Sequence, residues 1–550
     1  MNPESLDPRG LSRRQLLAAL GLASGATALA GTGQALARAG QTLHRTASVR
    51  AAGSDLGAVE HVVFLMQENR SYDHYFGTYP RGRGFDDHPA HRLGVFAQRY
   101  PGGTSMHPPK VLLPFRLYDP RDECIKDLTH NWGPMHQCWN HGRMDSWVKV
   151  HTSSAHEGDP TGSFTMGYYT RKELPYYYAL ADHFTLGDHY HCSILGPTHP
   201  NRVMQISGTI DPAGQHGGPV TDTNVFPQAK WTCDWTTVQE LLEDKGVSWK
   251  VYQPSNADIA TMGAKATDYA ALTAYPIWNK ENYDPNSDSV MFTSDNPLLY
   301  FKQYMDPTST LNQKAFQQSY PAQFYNDVQA GTLPAVSWII PPLGFDEHAT
   351  ASPDHGMWLV STVLDLLTSK PDVWSKTVLF VMHDENDGLF DHVKPLTAPA
   401  GTPGEWLTAA TISSTTNGIR GPLGLGVRVP LLVISPFSSG GHIASERFDH
   451  TSQLRFLEQR FGIHVSNLSA WRRNAVGDLT STLFQSRTTT TLPALNPPPL
   501  GTLQTSGPCA EATQEAEIAG GSEPYLPRKE QRMPTQRGYT IAASKFRDVP

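Results

Sequence analysis

Short apolar runs rich in Val and Ile set the tightest limit on what this chain can fold into. The clearest are VEHVVFLMQ (59–67), VSWKVYQ (247–253), AVSWII (335–340), KTVLFVMH (376–383) and VRVPLLVIS (427–435). Continuous runs of this kind suit strands buried on both faces, as in parallel sheets. Helical patterns lie between them at TTVQELLEDKG (236–246), MWLVSTVLDLLTSK (357–370) and TSQLRFLEQRFG (451–462). In the last, Thr451 or Ser452 is the expected N-cap and Gly462 the stop. Strands alternating with helices predict an α/β fold, a mostly parallel sheet sandwiched by helices.

Ligands of such sheets bind at the carboxyl ends of the strands. Run 59–67 ends in Glu68-Asn69, and run 376–383 ends in His383-Asp384-Glu385-Asn386-Asp387, with Asp391-His392 close behind. Run 335–340 leads into Asp346-Glu347-His348 and then Asp354-His355. Glu68, Asn69, Asp384 and Glu385 offer hard oxygen donors suited to a divalent cation. Each alone could equally cap a helix or solvate a loop, and that plainer role is preferred for Asp354, Asp387 and Asp391. Neither paired C-x-x-C motifs nor H-E-x-x-H occurs.

A second constellation is SILGPTHPNR, Ser193 to Arg202. Thr198, set before a short helical pattern, is expected at a helix N-terminus, where free N–H groups and the helix dipole favour a phosphoryl oxyanion. A nearby metal would make its hydroxyl a nucleophile. The plainer alternative is a capping Thr.

The chain has 550 residues and a formal net charge of −8, which argues against a nucleic-acid binder. Residues 101–235, rich in His, Trp, Tyr and Gly, read as inserted loops. Ser12-Arg13-Arg14 followed by an apolar run and Ala35-Leu36-Ala37 reads as a signal peptide whose arginine pair points to the twin-arginine export machinery. The expected divisions are a signal peptide (1–37), a leader (38–55), a catalytic domain (56–487) and a Pro/Thr-rich extension (488–550) that wraps the domain or is disordered. No other segment is long and apolar enough to anchor the mature chain in a membrane. Five cysteines leave at least one unpaired, with Cys124 and Cys138 the expected pair by proximity.

ENRSYDHYFG, GPTHPNR, a DEHA segment where SEHP is usual, and HDENDGLFDHV together resemble the bacterial phosphoesterase family of secreted phospholipases C and acid phosphatase, related to the alkaline phosphatase superfamily. The resemblance runs in order across about residues 57–465. It implies an alkaline-phosphatase-like fold and one divalent metal ion (calcium, magnesium, manganese or zinc) held by Glu68, Asn69, Thr198, Asp384 and Glu385. It also implies Thr198 as nucleophile, His348 beside the phosphate, and His392 or His130 as proton donor. His136 and Asn140 fall in the same segment as His130, and His199 and His355 carry weaker claims.

The expected activity is phospholipase C hydrolysis of a phospholipid at a membrane surface through a phosphothreonine intermediate. The alternatives are a phosphomonoesterase on the same core and an exported binding protein. Trp132, Trp139, Trp147, Tyr168 and Tyr169 could include a quaternary-ammonium cage, with loop packing the expected role for most.

Overall fold

The computed structural model describes residues 49–100, 111–117, 128–153, 162–222, 231–254, 295–341, 345–348, 352–485, 531–536 and 541–542. The expected signal peptide, Cys124 and most of the C-terminal extension lie outside these residues.

The central sheet has eight strands: β1 (His61–Gln67), β2 (Thr185–Gly187), β3 (Trp249–Pro254), β4 (Gln318–Tyr320), β5 (Val336–Ile339), β6 (Thr377–His383), β7 (Leu431–Ile434) and β8 (Ile443–Ala444). Their order across the sheet is β8-β2-β7-β6-β1-β5-β3-β4. All run one way except β7, which is antiparallel to β6 and to β2. The run 427–435 was expected among the parallel strands. Burial on both faces gives the same apolar run in either direction, so composition cannot report the reversal. The strands β2, β4 and β8 span two or three residues each, too short for a readable pattern. One of them, β2, falls inside the segment expected to be inserted loops, which also holds the helix Pro175–His183.

Side chains alternate through β1, so two cores form. Val63 and Leu65 pack with Leu379, Val381 and the apolar face of Pro353–Thr368. Val62, Phe64 and Met66 face the other side with Val378, Phe380 and Met382, under helices α1 (Thr198–Ser207), α2 (Val238–Asp244) and, later in the chain, Thr451–Phe461. With Pro353–Thr368 taken as α3 and Thr451–Phe461 as α4, the sheet is sandwiched between α3 and the α1–α2–α4 layer.

Gly462 ends α4 in the left-handed region (φ 66°), as expected. The residue at the N-cap position of α4 is His450, not Thr451 or Ser452, and its ring is engaged elsewhere. Two pieces of the C-terminal extension are described. Gln531 accepts from Leu113 N–H at 2.8 Å, and Gln536 Nε2 donates to the Tyr79 carbonyl at 2.6 Å. Among the described residues no helix is long and apolar enough to cross a membrane.

Candidate active site

The central strands β1, β5 and β6 are immediate neighbours and point their carboxyl ends the same way. Gln67 and His383 face each other as the last residues of β1 and β6, so Glu68-Asn69 and Asp384-Glu385 leave the sheet side by side. Asn69 N–H donates to Asp384 Oδ1 at 3.0 Å, and Glu385 N–H donates to the same oxygen at 2.7 Å. Asp387 N–H donates to Glu385 Oε2 at 2.6 Å. The segment after β5 closes the third side, where Glu68 N–H donates to the Asp346 carbonyl at 2.6 Å. Asn69 reaches its place through a left-handed backbone (φ 52°), which asparagine tolerates better than most residues.

Thr198 is the first residue of α1, and the N-cap is Pro197. Its side chain therefore does not cap the helix, as the plainer reading had it. The hydroxyl donates to Glu68 Oε2 at 3.2 Å. Asn201 fixes the approach to it, accepting from Ile194 N–H at 2.8 Å and donating to the Gly196 and Pro197 carbonyls at 3.0 Å each. One turn beyond Thr198, on the same helix face, Arg202 bonds Glu68 Oε1 and lies 3.4 Å from Asp384 Oδ2 and 3.6 Å from Asp295 Oδ2.

Negative charge outweighs positive here. Burial lifts the Glu68 carboxyl well above the usual range; Arg202 opposes the lift, and Asp295, Asp384 and Asp346 add to it. Burial, with Asp295 next to it, pushes Asp346 up to about 8. Among the described residues, Asn69 Oδ1 and Asp384 Oδ2 are buried with no hydrogen-bond partner, the latter meeting Arg202 at ion-pair distance. Such oxygens are costly to bury unsatisfied. Hard donors in excess of positive charge, two of them unsatisfied, fit a divalent cation.

The histidines divide. His130 belongs to the cluster, with Nδ1 3.2 Å from Asp387 Oδ1 and Nε2 3.6 Å from Glu385 Oε1. His348 is half-buried, its backbone N–H donating to Asp346 Oδ1 at 3.0 Å. His392 lies in a different network. Its Nδ1 is 2.7 Å from Asp73 Oδ2 and its Nε2 is 3.3 Å from Asp87 Oδ2. Arg428 bonds Asp391 through Nε and Nη2 at 2.9 Å each and reaches Asp73 at 3.1 Å.

Asp73, Asp391 and His392 have ligand atoms within 4.8 Å of one another, a spacing a metal ion could span. The Arg428 guanidinium already supplies a positive charge to these carboxylates.

His136 sits between the carbonyls of Trp132 (2.8 Å) and Pro422 (2.9 Å), and Asn140 bonds Asp145. Burial pushes His199 down to about 4, and its Nδ1 is 2.6 Å from the Tyr300 hydroxyl. His355 packs on Phe345. The aromatic residues considered for a cage, from Trp132 to Tyr169, are buried in the core, the packing role expected for most of them.

Asp346 and Glu347 were expected only as part of the charged segment after run 335–340, with no role of their own, and neither Arg202 nor Asp295 was given a role. Arg202 had a readable signal, four residues after Thr198. Asp346 also stood out as a departure from SEHP, and Asp295 carries no local mark.

The Phosphoesterase family pattern matches residues 59–464. The chain is 40% identical over 541 residues to Phospholipase C A of Mycobacterium tuberculosis, covering 96% of each. It is 41% identical over 449 residues to Non-hemolytic phospholipase C of Pseudomonas aeruginosa, covering 78% of this chain and 57% of that one. A solved protein in the alkaline phosphatase superfamily from Vibrio parahaemolyticus aligns over 81% of this chain and 78% of its own at 9% identity, with a TM-score of 0.31. On the extent of the family pattern and of the Mycobacterium tuberculosis match, the chain belongs to the phosphoesterase family.

Proposed function

We propose that this protein is an exported phospholipase C that cleaves a glycerophospholipid, phosphatidylcholine first among candidates, to diacylglycerol and a phosphorylated headgroup. The observation that carries the proposal is the Thr198 hydroxyl donating to Glu68 among buried, unsatisfied oxygen donors at the sheet's carboxyl edge. The phospholipase C names of relatives aligned over nearly the whole chain support the choice of reaction.

Glu68, Asn69, Asp384, Glu385 and Thr198 would hold the divalent cation. When bound, that cation supplies positive charge for the phosphoryl oxygens and lowers the pKa of the hydroxyl. Thr198 gives its proton to solvent and attacks phosphorus; the new Thr198 O–P bond forms as the P–O bond to glycerol breaks, and the glycerol oxygen takes a proton from a histidine. The backbone N–H groups of Thr198 and His199, at the start of α1, would face the phosphoryl oxygens, as helix N-termini do for anions. Water then attacks phosphorus; its O–P bond forms as the Thr198 O–P bond breaks, a water proton returns to the Thr198 oxygen, and the phosphorylated headgroup leaves.

Among the histidines, His130 is assigned the delivery of the proton, because it stands beside Glu385 and Asp387 in the donor cluster, whereas His392 is held by Asp73 and Asp87 in a separate network. His348 is assigned to the phosphate side. Residues 1–37 would direct the chain to the twin-arginine route, and the substrate would be met at a membrane surface.

The test is a panel of phosphocholine diesters and phosphomonoesters on one purified preparation, with and without chelator. Diester turnover abolished by chelation is expected. Equal or faster monoester turnover would replace this reading with that of a phosphatase.

A further inference from the structure

Behind the candidate donors lies a fully buried carboxylate for which neither the reaction nor the cation has an evident use. Glu347 accepts from the Tyr75 hydroxyl at Oε2 (2.6 Å) and from the Tyr177 hydroxyl at Oε1. Its Oε2 also lies 2.9 Å from His383 Nε2, and Gln67 Nε2 donates to Oε1 at 3.3 Å. The Glu347 backbone is in the left-handed region (φ 72°), which a glutamate adopts only when its surroundings hold it there.

The pattern of these contacts is informative. Gln67 and His383 are the paired last residues of β1 and β6, and each immediately precedes a donor pair, Glu68-Asn69 or Asp384-Glu385. Arg70, just after Asn69, donates through Nε to the Glu347 carbonyl at 2.9 Å. The residue before Glu347, Asp346, accepts from Glu68 N–H. One carboxylate therefore ties together the ends of the two strands that carry the oxygen donors, and anchors the loop that carries Asp346 and His348. A fully buried carboxylate is a poor device for stability alone, because an apolar group would fill the space at lower desolvation cost.

We propose that Glu347 is a positioning residue: by bonding Gln67 and His383 it sets the separation of the Glu68-Asn69 and Asp384-Glu385 pairs, and so the affinity of the cation site. This rests on the reading of those pairs as cation donors. Gly356 in the first turn of α3 leaves room for the arrangement. A Cβ there would lie 1.8 Å from Glu347 Oε1, so alanine would displace the carboxylate while suiting the helix itself.

The experiment uses the full chain stripped by chelator. Calcium and manganese binding are measured by calorimetry, beside thermal unfolding of the stripped protein, for the wild type, Glu347→Gln, Gly356→Ala and the double variant. Removing a partner that orients ligands weakens metal binding by roughly 10- to 100-fold, and a weakening of that size is expected for both single variants. The double variant should show less than the sum of the two, because both act on one contact. Turnover lost by the variants should return with excess cation, which a general loss of structure would not allow.

Folded variants with wild-type cation affinity would overturn the proposal while leaving the cation reading intact. A wild type that binds neither of these ions, nor magnesium or zinc, would overturn the cation reading and this proposal with it. Should Glu347→Gln fail to fold, Gly356→Ala and Tyr75→Phe carry the same comparison.

Discussion

The Thr198 hydroxyl donates to Glu68 Oε2 at 3.2 Å, while Arg202, one turn along the same helix, bonds the other oxygen of that carboxylate. A single buried Glu thus holds the candidate nucleophile on one side and a guanidinium on the other. Its place is fixed from behind by the Asp346 carbonyl.

If Thr198 is the nucleophile, Thr198→Ala should lower kcat by at least about a thousandfold, the scale on which removing a nucleophile acts. Thr198→Ser should keep measurable turnover, because the hydroxyl remains. Single-turnover assays on cation-loaded protein check both, and near-normal kcat for the alanine variant would rule out the role.

Cation binding to the folded state alone should raise the midpoint of thermal unfolding, with about 2.7 kcal/mol of added stability at 100 times the dissociation constant. Glu68→Gln and Asp384→Asn should each blunt that shift. A melting temperature indifferent to calcium, magnesium, manganese and zinc would contradict the assignment.

Replacing Arg202 with Met should destabilise the cation-free protein by about 3–5 kcal/mol, since buried Glu68 and Asp384 then lose their compensating charge. Saturating cation should recover part of the loss. Urea unfolding in chelator and in excess calcium measures both arms, and equal stability of variant and wild type in chelator would refute the argument.

Burial disfavours the charged ring of His392, but Asp73 and Asp87 outweigh it and hold its pKa above the ordinary value. A group raised on folding contributes stability that is complete below its unfolded pKa, near 6.5, and is lost as pH rises through the folded value. Wild-type stability should therefore fall across that alkaline window, and His392→Gln should flatten the fall. Urea unfolding at a series of pH values tests it, with parallel curves for the two proteins as the contrary result.

The chain order of the motifs made the central part of this arrangement readable. Runs 59–67 and 376–383 are apolar on both faces and end in charge, so their burial and the side on which Glu68 and Asp384 emerge followed from local sequence. The direction of β7 did not, because burial on both faces erases the alternation that would distinguish it. Thr198 was expected at the head of a helix, but its bond to Glu68 joins residues 130 positions apart. His392 follows Asp391 in a motif that points to the site, yet its partners Asp73 and Asp87 lie more than 300 positions earlier. Glu347 looks like any loop glutamate until β1, β5 and β6 are aligned around it.

The bond from Asn69 N–H to Asp384 Oδ1 spans 315 positions of chain. Closing so long a loop is entropically uphill and becomes favourable only as β1 and β6 pair. No fragment ending before Asp384 can hold the complete donor set, however well its own helices form. Cation affinity would then report on synthesis and folding together: a truncated or mispaired chain would release the ion, and only a molecule with its central strands in register would retain it.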